Sequence, residues 1–246
     1  SESFEKLDVA NAGRVAVGDF SKSGEKQIAI TTYKDNLNRD GALNIFKEQE
    51  DGKYRLAQTI PLKEPTSLSV GDVNGDGYDD LLVGQAKDIK DTAVGTLLFT
   101  GSKEGLKADQ VVKYESNFPK SVLISDVSGD GSPDILIANS NKGSTYGENP
   151  AYVYWGDKES DYGVKRRQEL PTHANYHSAT ADFNDDGFPD LLLVTSGEDD
   201  PNNFLQRGSL IYWGDKDGYD AKRVTELPKA TRGFGVAVGD LNKDGW

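Results

Sequence analysis

The sequence predicts an all-β protein of repeated four-stranded antiparallel units, and three observations carry that prediction. A nine-residue segment with oxygen-bearing side chains at positions 1, 3, 5 and 9 and glycine at position 6 occurs three times in full. The copies are Asp72-Val-Asn74-Gly-Asp76-Gly77-Tyr78-Asp-Asp80, Asp126-Val-Ser128-Gly-Asp130-Gly131-Ser132-Pro-Asp134 and Asp182-Phe-Asn184-Asp-Asp186-Gly187-Phe188-Pro-Asp190. Two outlying copies, Asp19-Phe-Ser21-Lys-Ser23-Gly24-Glu-Lys-Gln27 and Asp240-Leu-Asn242-Lys-Asp244-Gly245-Trp246, extend the series at a period of about 55 residues. Around each copy the apolar residues come in short runs, with no helical spacing.

Each unit divides in the same way. A short apolar strand leads into the segment: Val15–Gly18, Leu68–Gly71, Val122–Ser125, Ala179–Ala181 and Val236–Gly239. A second follows it: Ile28–Thr32, Leu81–Gly84, Ile135–Ala138 and Leu191–Thr195. Apolar runs of this length suit strands buried on both faces. A third strand covers Ala42–Lys47, Gly95–Thr100, Ala151–Trp155 and Ser209–Trp213. Polar turns such as Glu50-Asp51-Gly52, Lys103-Glu104-Gly105 and Asp217-Gly218 then lead to a more polar fourth strand, exemplified by Tyr54–Thr59 and Lys222–Glu226. Four antiparallel strands repeated at this spacing are the blades of a β-propeller. The repeats fall at approximately 14–60, 67–114, 121–169, 177–226 and, incomplete, 234–246, within one domain spanning 1–246. Residues 1–13 are expected to supply an outer strand, because Phe4-Glu-Lys-Leu7 resembles Tyr54-Arg-Leu56 and Tyr219-Asp-Ala-Lys222.

Alternate oxygen donors on a tight loop suit a hard cation. Calcium takes about six to eight oxygens at about 2.3–2.6 Å, and glycine permits the sharp turn that brings them together. The expected ligands are Asp72, Asn74, Asp76 and Asp80 with the carbonyl of Tyr78. In the next loop they are Asp126, Ser128, Asp130 and Asp134 with the carbonyl of Ser132. In the third they are Asp182, Asn184, Asp186 and Asp190 with the carbonyl of Phe188. Asp240, Asn242 and Asp244 offer an incomplete fourth set. Loop 19–27, with Ser21, Ser23 and Gln27 in place of acids, is expected to stay empty. An EF-hand is excluded, since it needs flanking helices and a glutamate at position 12, where Val83, Ile137 and Leu193 stand. Ion-free Asx turns are the plainer alternative. They leave unexplained the acid that recurs at position 9, directly before an apolar strand.

These residues resemble the FG-GAP/VCBS repeat family, the calcium-binding propeller blades of integrin α-subunits and many bacterial surface proteins. The likeness rests on the Asp-x-Asn/Ser-x-Asp-Gly-x-x-Asp loops and on the strand before each, as in Phe234-Gly235-Val-Ala-Val-Gly239-Asp240. It also rests on the third strand and its turn, as in Leu210-Ile-Tyr-Trp-Gly214-Asp-Lys-Asp-Gly218. The family's Gly-Ala-Pro element is absent, with Gly84-Gln-Ala86 the nearest approach. The resemblance implies a ring of about seven blades, so this chain reads as part of a larger propeller, four blades and the start of a fifth. It also implies that ligands engage the face opposite the calcium loops. That face carries the longer connections, Lys34–Asp40, Ala86–Ala93, Ser140–Pro150, Leu170–Tyr176 and Ser196–Arg207.

Composition narrows the function. A net charge of −13 over 246 residues argues against nucleic acid and anionic membrane as partners. No apolar run is long enough to insert into a membrane. Cysteine is absent, which removes disulfides, zinc–thiolate sites and thiol nucleophiles. Calcium loops of the affinity typical of extracellular modules point to an extracellular, cell-surface or periplasmic setting. His173 and His177 have a zinc-compatible spacing only on a helix, and Pro171 precedes them. Tyr152, Tyr154, Trp155, Tyr212 and Trp213 on third strands are assigned to blade packing, with sugar stacking as the alternative. No catalytic motif is present. The leading expectation is a calcium-stabilised, non-catalytic propeller that binds a protein or glycan. The alternatives are a lyase-like polysaccharide enzyme using Arg166, Arg167 or Arg207, and an architectural subunit of a larger surface assembly.

Overall fold

A computed structural model of the protein describes residues 6–34, 40–86, 95–142, 145–146, 149–156, 162–195, 208–227 and 233–240. The first antiparallel sheet joins β1 (Ala12–Gly18), β2 (Gln27–Tyr33), β3 (Gly41–Glu48) and β4 (Tyr54–Leu62) in chain order. The second joins β5 (Pro65–Gly71), β6 (Asp80–Gln85), β7 (Thr96–Phe99) and β8 (Val111–Tyr114) in the same way. In the third, β9 (Pro119–Ser125) and β10 (Asp134–Asn139) are followed by a small β11 (Asn141–Lys142)–β12 (Thr145–Tyr146) ribbon. The third sheet then closes with β13 (Ala151–Tyr154) and β14 (Arg167–Leu170). The fourth joins β15 (Asn175–Ala181), β16 (Asp190–Thr195), β17 (Ser209–Tyr212) and β18 (Val224–Leu227). No helix occurs among the described residues. Four blades of a β-propeller therefore stand side by side, β1 packing on β5, β5 on β9 and β9 on β15.

The core lies between blades, not within them. On β6, Leu81 and Val83 join Phe20, Leu43 and Ile45 of the first blade, while Leu82 turns the other way to meet Ile135, Ile137 and Tyr154 of the third. On β10 the odd positions Ile135 and Ile137 face the second blade. Leu136 and Ala138 face Leu191, Leu193 and Tyr212 of the fourth. The two-residue period of a strand thus divides each apolar run between two interfaces, which is why these strands read as continuously apolar. The aromatic side chains follow the same rule. Tyr152, Tyr154 and Tyr212 are buried, and Tyr114 meets Tyr154 edge-on at 4.9 Å.

Strand boundaries differ from expectation in an ordered way. Each first strand begins earlier than its apolar run, just after a residue other than glycine with positive φ: Asn11, Glu64, Phe118 and Ala174. Pairing at these starts carries a register irregularity. Hydrophobicity marked only the apolar half of each strand, whereas the backbone ladder runs on to the bulge. The second, third and fourth units' third strands stop one residue early, at Phe99, Tyr154 and Tyr212. The last outer strand begins at Val224, because Asp220–Arg223 close a turn through Arg223 N–H to the Asp220 carbonyl. Residues 233–240 carry no strand, and no pairing partner for the expected Val236–Gly239 strand is among the described residues. Residues 6–11 carry none either, and Phe4 lies outside the described set.

Candidate metal centres

The recurrent loops are the hairpin turns between first and second strands, and all four described copies share one backbone. Position 6 is left-handed in each, with φ of 81°, 85°, 85° and 88° at Gly24, Gly77, Gly131 and Gly187. Position 4 is left-handed as well, at Lys22, Gly75, Gly129 and Asp185. The side chains at positions 1, 3 and 5 turn inward over this backbone. In loop 72–80, Asp72 Oδ1 and Asn74 Oδ1 share the Asp76 N–H at 3.1 and 2.9 Å, and Asp72 Oδ2 accepts the Gly77 N–H at 2.8 Å. Asn74 Nδ2 donates to Asp76 Oδ2 at 3.0 Å, and Asp76 Oδ1 accepts the Tyr78 N–H at 2.9 Å. Loop 182–190 repeats this through Asp182, Asn184 and Asp186. In loop 126–134, Asp126 takes the N–H groups of Gly129, Asp130 and Gly131, and Ser128 Oγ donates to it at 3.3 Å.

Position 9 is built differently. Asp80, Asp134 and Asp190 are each at most 1% exposed. One oxygen of each accepts the N–H of position 2, that of Val73, Val127 or Phe183, at 2.8–2.9 Å. The other accepts the N–H of a glycine beyond the third strand, Gly101, Gly156 or Gly214, at 2.7–2.8 Å. The position-9 carboxylate therefore ties the metal hairpin to the exit of the third strand. Burial pushes Asp80 and Asp134 up to about 6, opposed by those N–H donors and reinforced by Asp76 and Asp72 in one loop and by Asp130 in the other. Position 1 is drawn the opposite way. Against its desolvation, the N–H groups of Gly187, Asp186, Asp185 and Asn184 hold Asp182 below the ordinary carboxyl value.

Tested against calcium, the donor set fits. Each full loop offers oxygen donors from two acids and an amide or hydroxyl, with the position-7 carbonyl and a buried acid adjoining. The rise at Asp80 is chiefly burial, with a smaller part from the repelling Asp76 and Asp72 charges, and a cation relieves that repulsion. Among the described residues no three acidic or histidine side chains converge as a ready-made cluster. The fit thus rests on donor chemistry and loop shape. Asp240 is exposed, while Asn242 and Asp244 lie outside the described residues.

Two features escaped the sequence reading. The glycines after the third strands have a packing reason: a Cβ on Gly101, Gly156 or Gly214 would stand 2.5, 2.0 or 2.2 Å from the carbonyl oxygen of position 8. Their signal was present in Gly101-Ser-Lys103, Gly156-Asp-Lys158 and Gly214-Asp-Lys216. Position 2 is an apolar plug. Phe20, Val73 and Val127 are buried against the following blade.

Comparison with known families agrees with this architecture. A family described as FG-GAP-like repeat matches residues 126–193 and 182–246, and one described as FG-GAP repeat matches residues 65–89. The chain belongs to the FG-GAP repeat family. Together the matches span more than half of its length, and the first unit, outside them, joins the FG-GAP array by its identical topology. No curated protein matches the chain. The molecule is an integrin-like β-propeller assembled from FG-GAP blades.

The remaining candidate residues fall away from any common centre. Arg167 lies on the outer strand β14 of its FG-GAP blade, paired with Glu115 at 2.6 Å and Glu169 at 2.9 Å and stacked 4.5 Å over Tyr152. His177 is half-buried on β15, and burial together with the Arg14 charge lowers its pKa. The pair is not on a helix, so its spacing has no zinc geometry. Arg207 lies outside the described residues, as do 35–39, 87–94, 143–144, 147–148 and 196–207 of the long connections.

Proposed function

We propose that this chain is a calcium-braced propeller segment of an extracellular, cell-surface or periplasmic protein, which binds a protein or glycan through the loops opposite its metal hairpins and performs no catalysis. The observation that carries this reading is the threefold recurrence of one hairpin with oxygen donors at positions 1, 3 and 5 over a buried carboxylate at position 9. In loops 72–80, 126–134 and 182–190 the ion takes the side chains at positions 1, 3, 5 and 9 and the carbonyls of Tyr78, Ser132 and Phe188. It cross-links the turn and neutralises its acids. Loop 19–27 remains without one. At about 1 mM calcium and a Kd near 10⁻⁴ M each ion stabilises the fold by about 1.4 kcal/mol.

Calorimetric titration of the chelated protein checks this. Three sites of roughly that affinity are expected, together with a melting temperature that falls in excess chelator. An unchanged melt and no calcium heat would refute it. A glycan array run beside an absorbance assay for unsaturated sugar products tests the binding reading. Turnover of a polysaccharide would overturn it.

A further inference from the structure

Among the described residues, the junction between the first two blades carries hairpin-to-hairpin contacts with no counterpart at its sister junctions. Asp79, at position 8 of loop 72–80, donates its N–H to the Asp19 carbonyl at 3.2 Å, and its Oδ2 accepts the Asp19 N–H at 2.6 Å. Ser102 N–H reaches the Phe20 carbonyl at 3.1 Å. Two lysines of the first hairpin lean the same way. Lys22 Nζ donates to the Asp76 carbonyl at 3.0 Å and lies 5.5 Å from the centre of the Tyr78 ring, while Lys26 Nζ pairs with Asp79 Oδ2 at 3.5 Å. At the next two junctions the residue equivalent to Asp79 is Pro133 or Pro189, which has neither an N–H nor a carboxylate. The equivalent of Lys22 there is Gly75 or Gly129. Within the first hairpin Gln27 Nε2 donates to Ser21 Oγ at 2.7 Å.

We propose that hairpin 19–27 is a metal-independent clamp, held on loop 72–80 by Asp79, Lys22 and Lys26, which keeps the first blade docked on the second when calcium is withdrawn. The contrast with the other junctions rests on the calcium reading above; the clamp itself does not. Charge-assisted hydrogen bonds such as Asp79 to the Asp19 N–H are the stronger kind, and the exposed Lys26 pair adds little. The clamp adds hairpin-to-hairpin bonds at one junction to the apolar packing that all the junctions share.

Amide hydrogen exchange of the full chain, with calcium and with excess chelator, reads this directly. In the wild-type chain the Asp19 and Ser102 amides are expected to keep their protection on chelation, while Gly77 and Gly131, bonded to Asp72 and Asp126, lose theirs. Asp79→Pro, a residue that loops 126–134 and 182–190 accept at this position, removes both Asp79–Asp19 hydrogen bonds and the Lys26 pair. It is expected to speed Asp19 and Ser102 exchange about tenfold in chelator. Lys22→Ala, an exposed change that leaves the hairpin backbone intact, is expected to speed it about threefold, with Lys22→Arg restoring protection. Unchanged exchange at Asp19 and Ser102 in both variants, or their loss of protection in the chelated wild type, would overturn the clamp. Gly77 and Gly131 indifferent to chelation would instead overturn the calcium reading, and the two variants would still decide the clamp.

Discussion

Hairpin 19–27 and loop 126–134 share one backbone, left-handed at the same two positions, yet they fill it with different chemistry. Loop 126–134 carries acids at positions 1, 5 and 9 and sends the last beneath the turn to hold Gly156. Hairpin 19–27 keeps only Asp19, and its Gln27 is satisfied inside the hairpin by Ser21. The difference extends beyond the loop. Strand register places Glu48 of the first blade where Gly101, Gly156 and Gly214 stand in the others. A buried carboxylate needs its donors, so the acid at position 9 and the glycine that serves it are present together or missing together. Turn geometry is thus set by left-handed residues and an apolar plug, and the acids are a separate layer added to it.

The plug offers the largest break. Phe20 is fully buried between blades one and two, whereas Phe183, at the same position of loop 182–190, is half-buried because no following blade covers it among the described residues. Phe20→Ala is expected to cost about 3–5 kcal/mol and Phe183→Ala about 1 kcal/mol in denaturant melts of the full chain. Equal costs would mean that position 2 does not work by insertion into the next blade.

The buried acid comes next. Asp134→Ala leaves the N–H groups of Val127, Ser128 and Gly156 without their acceptor, and the expected loss is about 3 kcal/mol. Asp130→Ala, on the exposed side of the same loop, is expected to cost under about 1 kcal/mol in chelator while abolishing one calcium site in a titration. That pair separates an acid that anchors the hairpin from one that does not. Gly156→Ala then sharpens the link to the third strand. Its Cβ would meet the Pro133 carbonyl at 2.0 Å, for an expected cost of about 2–3 kcal/mol, against about 1 kcal/mol for Gly131→Ala, whose Cβ would meet open space at a φ of 85°. Paired equilibrium unfolding curves check the order.

Most of the fold was legible because its signals are periodic. Apolar second strands such as Leu81–Val83 and Ile135–Ile137 marked doubly buried strands, and the Asp-Gly loops marked the hairpins between them. The loop residues of the candidate site were legible for the same reason. What stayed hidden was the identity of each contact. Position 9 reads as one more ligand in a list of acids, and only the fold shows its two oxygens also accepting the N–H groups of Val73 and Gly101. Polar strand starts such as Asn175–Ser178 carried no hydrophobic signal, since their pairing is backbone work. Nor could spacing alone show that Pro133 and Asp79 give neighbouring junctions different bonds.

The smallest effect is the most discriminating for the two kinds of hairpin. Gln27→Ala removes one neutral hydrogen bond, to Ser21, and some packing of a side chain only 4% exposed. About 1 kcal/mol is expected, read from urea melts. On the proposed reading that hairpin takes no ion, so the loss should be the same in calcium and in chelator. Asp134→Ala should instead cost more in calcium than in chelator, since it takes away a ligand as well as an anchor. A calcium-dependent penalty for Gln27→Ala would place an ion in the first hairpin after all, and would merge the two classes into one.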